Sequence, residues 1–289
     1  MNRTDGATSR DSNDRDPTTV WTPAEALGTT PGRGRLSGRR VLVVGAGTRA
    51  SDAPDPPEGN GRAIAIASAR EGAAVACVDQ DEASALETKR RIDVENGNAV
   101  ALTADATDER ACERLVHDSA AALGGLDGVV VNIGTGLGRG LQGTDADAWD
   151  RTFAVNLRAH FLIARAAMPN LRAGGALVFI GSVAGLRPGS GIPAYDASKA
   201  GLLGLCRHVA MEGSRLGVRA NVVVPGLIDT PLGRAATQGR PGRGTTVIPL
   251  GRQGTAWEVA HATIFLLSDE ASYVTGQSLV IDGGLSNLR

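Results

Sequence analysis

The apolar residues of this chain gather in short unbroken runs that close on glycine or a polar residue. The first, Arg40-Val-Leu-Val-Val44, leads straight into Gly45-Ala-Gly47-Thr48. Such a run predicts a strand buried on both faces of a parallel sheet, with a tight turn at its end. The pattern returns at Ala74 to Val78, Val100 to Thr103 and Gly128 to Val131, then at Val218 to Val224 and Ser278 to Ile281. Between the early strands the spacing becomes helical, in an Ala/Ile run from Arg62 and at Glu82–Glu95 and Glu109–Leu123. Strands and helices alternating at this length imply right-handed crossovers. The expected fold class is α/β: a Rossmann-type, doubly wound parallel sheet of about seven strands flanked by helices, in a single domain.

Residues 1–35 lack the pattern. They are rich in Asp, Arg, Thr, Ser, Gly and Pro, and are expected to be a flexible polar tail before a domain at 36–289. Without an apolar core segment they are expected to be neither signal peptide nor presequence. Composition narrows the rest. Apolar residues make up 42% but aromatics only 3% of the 289 residues, so the core must be built from Ala, Val, Leu and Ile. A net charge of −1 gives no electrostatic case for nucleic acid or membrane partners, and no stretch has transmembrane length. Cys77, Cys112 and Cys206 are scattered and odd in number, which suits buried thiols in a cytoplasmic protein. The four histidines (117, 160, 208 and 261) form no ligand motif, so no metal site is expected.

The turn after the first strand asks for a helix within a few residues, with glycines that let the backbone approach a pyrophosphate. Instead the chain runs through Arg49-Ala-Ser-Asp-Ala-Pro-Asp-Pro-Pro-Glu58, and the missing glycines follow as Gly59-Asn60-Gly61. This reads as a dinucleotide-binding loop (Gly45, Gly47, Gly59, Asn60, Gly61) split by an insertion that either covers the cofactor or bulges into solvent. Asp79, at the end of the second strand, stands where such folds bind the adenine ribose hydroxyls. A carboxylate there repels a 2′-phosphate, which favours NAD over NADP. Arg49 and Arg62 lie nearby and argue the other way. Asp105, after the third strand, is placed to take the adenine amino group.

Ser182 to Lys199 reads SVAGLRPGSGIPAYDASK, at the head of a helical Ala/Leu run from Ala197 to Met211. Tyr195 and Lys199, four apart, share a helix face, so the ammonium lies beside the phenol and is expected to lower its pKa from about 10. The Gly/Pro loop between brings Ser182 back toward Tyr195, making a site suited to proton transfer.

With these motifs in order, the chain resembles the short-chain dehydrogenase/reductase superfamily over about residues 36 to 289. The resemblance rests on the split glycine loop, Asp105, Asn132-x-Gly134, Asn156 in Phe153-Ala-Val-Asn-Leu157, Ser182, Tyr195-x-x-x-Lys199, Pro225-Gly226 and Ile281-Asp-Gly-Gly284. It implies a catalytic tetrad. Tyr195 would be the acid/base, and Lys199 would tune it and bind the nicotinamide ribose. Ser182 would hold the substrate carbonyl, and Asn156 would support a relay water or, alternatively, brace a helix. It implies cofactor contacts at Ala106, Asn132, Gly134, Pro225, Gly226, Ile228 and Thr230 besides those above, and assembly as a homodimer or homotetramer. Ile133 departs from the family pattern, which has a small residue there; either crowding near the adenosine or a local adjustment is expected.

The expected activity is an NAD(H)-dependent interconversion of a secondary alcohol and a ketone on a small-molecule substrate. Reduction of 3-oxoacyl thioesters of acyl carrier protein or coenzyme A is an alternative, as is a catalytically idle dinucleotide-binding scaffold. Leu137, Leu186, Ile192 and Leu227 are candidate apolar walls of the substrate site. Arg234, Arg240, Arg243 and Arg252 lie in a Gly/Pro-rich segment that is either a cationic lid for an acidic substrate or solvated surface.

Overall fold

The computed structural model describes residues 20–288. Its strands and helices follow the apolar pattern closely. In chain order they are β1 (Arg40–Val44), α1 (Asn60–Arg70), β2 (Ala74–Asp79), α2 (Glu82–Val94), β3 (Asn98–Thr103), α3 (Glu109–Leu123), β4 (Leu126–Val131), α4 (Ala146–Phe153), α5 (Ala159–Ala167), β5 (Leu171–Ile180), α6 (Pro193–Ser214), β6 (Arg219–Pro225), β7 (Ile228–Asp229), α7 (Pro231–Gln238), α8 (Pro241–Gly244), β8 (Gly254–Thr255), α9 (Ala256–Leu267) and β9 (Ser278–Ile281).

Seven strands form one sheet in the order β3-β2-β1-β4-β5-β6-β9, and all six pairings are parallel. Both faces are covered, which is why the strands read as continuous apolar runs. In β1, Val41 and Val43 join the core shared with α1 and α9, while Leu42 and Val44 join the core under α3, α5 and α6. Polar ends delimit the helices: Asp81, Asp108 and Asp145 each accept backbone N–H bonds at the starts of α2, α3 and α4. The strand order reverses between β1 and β4, and a doubly wound sheet opens its binding crevice at the carboxyl ends of the strands there. All three cysteines are free and buried. Among the described residues no helix is long and apolar enough to cross a membrane.

The segment expected to be a tail to residue 35 needs correction where it is described; residues 1–19 lie outside the described residues. Residues 20–35 sit on the domain. A 3₁₀ turn at Ala24–Leu27 buries Ala26, and Thr255 Oγ1 donates to its carbonyl at 2.6 Å. The Arg70 guanidinium lies 4.9 Å from the Trp257 ring and donates to Gly28 O at 2.8 Å. Glu71 accepts from the backbone N–H groups of Arg33 and Arg35, both at 2.9 Å, and forms an ion pair with Arg35 at 2.6 Å. These anchors are single residues without periodicity, so the composition conceals them.

Candidate active site

The site is assembled at the carboxyl edge of the sheet. Leaving β1, Gly45 takes φ +79°, and its N–H donates to Val78 O. The split glycine motif is reunited across the insertion: a Cβ on Gly61 would fall 1.7 Å from Gly45 O and 2.6 Å from Asn132 Nδ2. Only glycine lets the first turn of α1 come this close to the end of β1. Asn132 Nδ2 donates to Gly45 O at 2.9 Å, tying the end of β4 to the same turn. The inserted loop is pinched at its base, where Gly59 N–H donates to Thr48 Oγ1 at 3.0 Å. Most of residues 49–56 are exposed, while Glu58 turns inward to pair with Arg91 and, at 3.9 Å, Arg62.

At Gly59, the start of α1 has no side-chain cap and no acidic residue in its first turn. Its first-turn N–H groups therefore lack a side-chain acceptor and carry the positive end of the helix dipole. Asn60 Oδ1 is buried without a hydrogen-bond partner. An open helix start and a cradle that a Cβ would fill together fit a dinucleotide pyrophosphate, while the orphaned Asn60 oxygen, an acceptor, suits a hydroxyl donor. Asp79 Oδ2 accepts Gly47 N–H at 2.9 Å, which places its carboxylate against the glycine loop. Arg62 is not available to a phosphate as the sequence allows. It is buried, donating from Nε to Thr88 Oγ1 at 3.0 Å and from Nη2 to Ser84 Oγ at 3.3 Å. Arg49 is exposed. Asp105 Oδ1 holds Thr107 N–H at 2.8 Å, and Ala106 is buried with its carbonyl facing the Cys112 thiol. Ile133 packs on the core, with its Cγ2 over Gly45.

Ser182 lies two residues past the end of β5 and caps a 3₁₀ turn, while Tyr195 and Lys199 lie in the first two turns of α6. Lys199 is buried. Its Nζ stands 5.9 Å from the Tyr195 ring centroid and donates to Ile180 O at 2.9 Å. Burial pushes its pKa down from 10.5 to about 8. The lowering of the Tyr195 pKa expected from Lys199 is not found, and the pKa is raised instead. Burial of the phenol is the largest effect and raises it, against a hydrogen bond from Ser182 and the more distant charges of Arg243 and Arg240. Asp196 adds to the rise.

Asn156 lies within a single π-turn, Ala154–Arg158, that joins α4 to α5, and it is fully buried. Its Nδ2 donates to Thr135 O at 2.8 Å and Ser198 Oγ at 3.0 Å, while Oδ1 accepts Thr135 N–H at 2.8 Å. The side chain therefore braces the loop after β4 against α6. A Cβ on Gly134 would lie 3.5 Å from Lys199 Nζ, so that loop passes directly over the ammonium. Ser198 also donates to Tyr195 O at 2.9 Å. Neither Ser198 nor Thr135 is singled out by the sequence, although Ser198 stands inside the Tyr-x-x-x-Lys spacing. His160, one turn beyond Asn156, is also newly placed here: its imidazole is buried 5.9 Å from the Phe179 ring. Burial and the Lys199 charge hold it well below its ordinary pKa.

Of the expected substrate walls, Ile192 and Tyr195 converge on Gly136, where a Cβ would lie 3.0 Å and 3.6 Å from them. Leu137 and Leu227 are half-buried on the neighbouring loops, and Leu186 is exposed. Pro225 ends β6, and Gly226 lies against Asp282. Ile228 is buried in β7, and Thr230 Oγ1 caps α7 by accepting Gly233 N–H at 3.0 Å, which leaves its O–H proton free to donate. Arg234 and Arg252 are not free lid cations: each forms a two-point ion pair, with Asp229 and Glu258 respectively. Among the described residues there is no cluster of metal-ligating side chains.

Comparison with known proteins agrees with this geometry. A family model described as Enoyl-(Acyl carrier protein) reductase matches residues 57–286. The chain is 35% identical to 2-(S)-hydroxypropyl-CoM dehydrogenase 3 of Xanthobacter autotrophicus, over 87% of this chain and 98% of that one. It is 36% identical to (3R)-3-hydroxyacyl-CoA dehydrogenase of Homo sapiens, over 87% and 97%. The structure of a short-chain dehydrogenase/reductase from Serratia marcescens superposes with a TM-score of 0.77 at 31% identity, covering 87% of this chain and 99% of that one. The chain belongs to the short-chain dehydrogenase/reductase superfamily of oxidoreductases acting on CH–OH groups.

Proposed function

We propose that the protein is an NAD(H)-dependent oxidoreductase interconverting a secondary alcohol and a ketone, with Tyr195 as the acid/base. The reading rests on one observation: Ser182, Tyr195 and Lys199 meet at the carboxyl edge of the sheet, beside the glycine cradle at the open start of α1. When bound, the nicotinamide ring supplies hydride to the carbonyl carbon or takes it from the alcohol carbon. In the reducing direction Tyr195 gives its proton to the substrate oxygen, while Ser182 holds that oxygen by a hydrogen bond. Burial keeps the phenol protonated at neutral pH, which suits this direction. Lys199, charged below about pH 8, stabilises the phenolate left behind and binds the nicotinamide ribose. Asn156 fixes the loop that covers Lys199.

The choice of NAD is supported by the Asp79 carboxylate at the glycine loop and by the enclosure of Arg62; Arg49 is the remaining cation for an NADP reading. The resemblance to a (3R)-3-hydroxyacyl-CoA dehydrogenase favours a 3-oxoacyl thioester as the second substrate reading. Assembly as a dimer or tetramer in the cytoplasm completes the proposal, and the open edge of the sheet at β9 offers one surface for it. The test is to titrate the protein with NADH and NADPH by nicotinamide fluorescence, then to screen ketones with the tighter one. Tighter NADH binding with turnover supports the reading. Tighter NADPH binding refutes the Asp79 argument and points to Arg49. Binding of neither puts the idle scaffold ahead.

A further inference from the structure

We propose that the substrate carries an anionic group, a carboxylate, sulfonate or phosphate, close to its reacting carbon, and that Arg240 and Arg243 receive it. This deepens the oxidoreductase reading above and rests on it.

The arginines of this segment differ in whether they already have partners. Of the four in the segment from Leu232 to Arg252, Arg234 and Arg252 are each neutralised by a carboxylate. Arg240 and Arg243 have no carboxylate within ion-pair distance among the described residues, and both are half-buried. Their hydrogen bonds go only to uncharged oxygens. Arg240 Nε donates to Ala236 O at 3.3 Å, and Arg243 Nη1 donates to Gly233 O at 2.9 Å and Thr237 Oγ1 at 2.5 Å. The Nη1 bonds fix the Arg243 guanidinium and leave its Nε and Nη2 donors for another acceptor. Two like charges held together and partly removed from water carry a desolvation cost that an arriving anion offsets. They also repel each other, and both are felt by the Tyr195 phenol.

A chain of hydrogen bonds sets these cations at the mouth of the site. Ile192, three residues before Tyr195, follows Gly191, whose carbonyl accepts Gly140 N–H at 2.9 Å. The adjacent Arg139 donates from Nη1 to Gly239 O at 2.6 Å, and Arg240 comes next. The loop after β4, the loop before α6 and the lid thus close a ring beside Tyr195. Arg139 adds a third cation with no carboxylate partner among the described residues. On the α6 side the acid felt by Tyr195 is Asp196, whose Oδ2 accepts Gly189 N–H at 3.4 Å and which makes no ion pair among the described residues. An anion held by bidentate guanidinium contacts is the ligand such a set recognises.

The test compares matched substrates. 2-Oxo, 3-oxo and 4-oxo carboxylic acids and their methyl esters are reduced with NADH by the wild type, the Arg240→Gln/Arg243→Gln double variant and Arg243→Lys. At one chain length the acid is expected to exceed its ester about tenfold or more in kcat/KM. That ratio should fall toward one in the double variant and recover in part in Arg243→Lys, and added KCl should lower it. A preference for the ester at every length overturns the inference, as does a ratio unchanged in the double variant. Should no ketone be turned over at all, the oxidoreductase reading fails. The anion site is then judged by quenching of enzyme-bound NADH fluorescence with the same acids: binding lost in the double variant upholds it, and no binding overturns it.

Discussion

Lys199 gives the structure a measurable dependence on pH. It is buried, and its pKa falls from 10.5 to about 8 because burial disfavours the charged form. Below pH 8 the lysine is charged in both the folded and unfolded states, and the folded state bears the full cost of burying it. Between pH 8 and 10.5 the folded protein has released the proton while the unfolded chain still holds it. The unfolded state then binds more protons, so stability rises with pH. From pH 7 to 9.5, pKa values of 8 and 10.5 give a rise of about 2 kcal/mol from this residue alone. Lys199→Met removes the titration, and the other groups largely cancel between the two proteins. His160, which feels the Lys199 charge, is already neutral throughout this range. Urea unfolding at half-unit steps over pH 7–9.5 should show the wild type gaining about 2 kcal/mol relative to Lys199→Met. Parallel stability profiles would refute the reasoning, because they would mean that the buried ammonium is solvated in the folded state.

Three further outcomes follow from the packing. Gly61→Ala places a Cβ 1.7 Å from Gly45 O, so calorimetry should show a loss of about 1–3 kcal/mol and titration a loss of NADH binding. Gly204→Ala in α6, which meets nothing within 4 Å, is the control and should be neutral or slightly stabilising. Glu71→Gln breaks the buried pair with Arg35 and should cost about 3 kcal/mol at pH 7 by urea unfolding. Burial alone would raise the Glu71 pKa, but its hydrogen bonds and Arg35 lower it below 4.5. Its contribution is therefore present above that value and lost as pH falls through the folded pKa, so wild type and variant should converge in acid. Replacing residues 49–58 by a short turn separates the two expectations for the insertion: a lid predicts faster NADH release by stopped-flow fluorescence, and a solvent bulge an unchanged rate.

The sheet was legible in the sequence because both its faces are buried: Val41 to Val44 and Val129 to Val131 read as apolar runs whichever side they face. The split glycine loop was legible because Gly45 and Gly61 are chemically required where β1 and α1 touch, however many residues lie between. What sequence could not show depended on which polar groups partner each other in space. Arg62 reads as a phosphate ligand but is taken up by Thr88 and Ser84, more than twenty residues away. Arg234 and Arg252 read like Arg240 and Arg243, and only the positions of Asp229 and Glu258 separate them. The balance on Tyr195 is hidden from the sequence for a related reason. Spacing reveals the neighbouring ammonium but not the burial that raises the phenol.

The central claim is that Tyr195 transfers the proton in a site that binds NADH through the α1 cradle. It is tested most directly by Tyr195→Phe, which removes one oxygen and keeps the ring packed. With the best ketone from the screen, kcat should fall by about 10²–10⁴ while the NADH dissociation constant stays within about twofold. Turnover close to wild type in the variant would contradict the claim and move the acid/base role away from Tyr195.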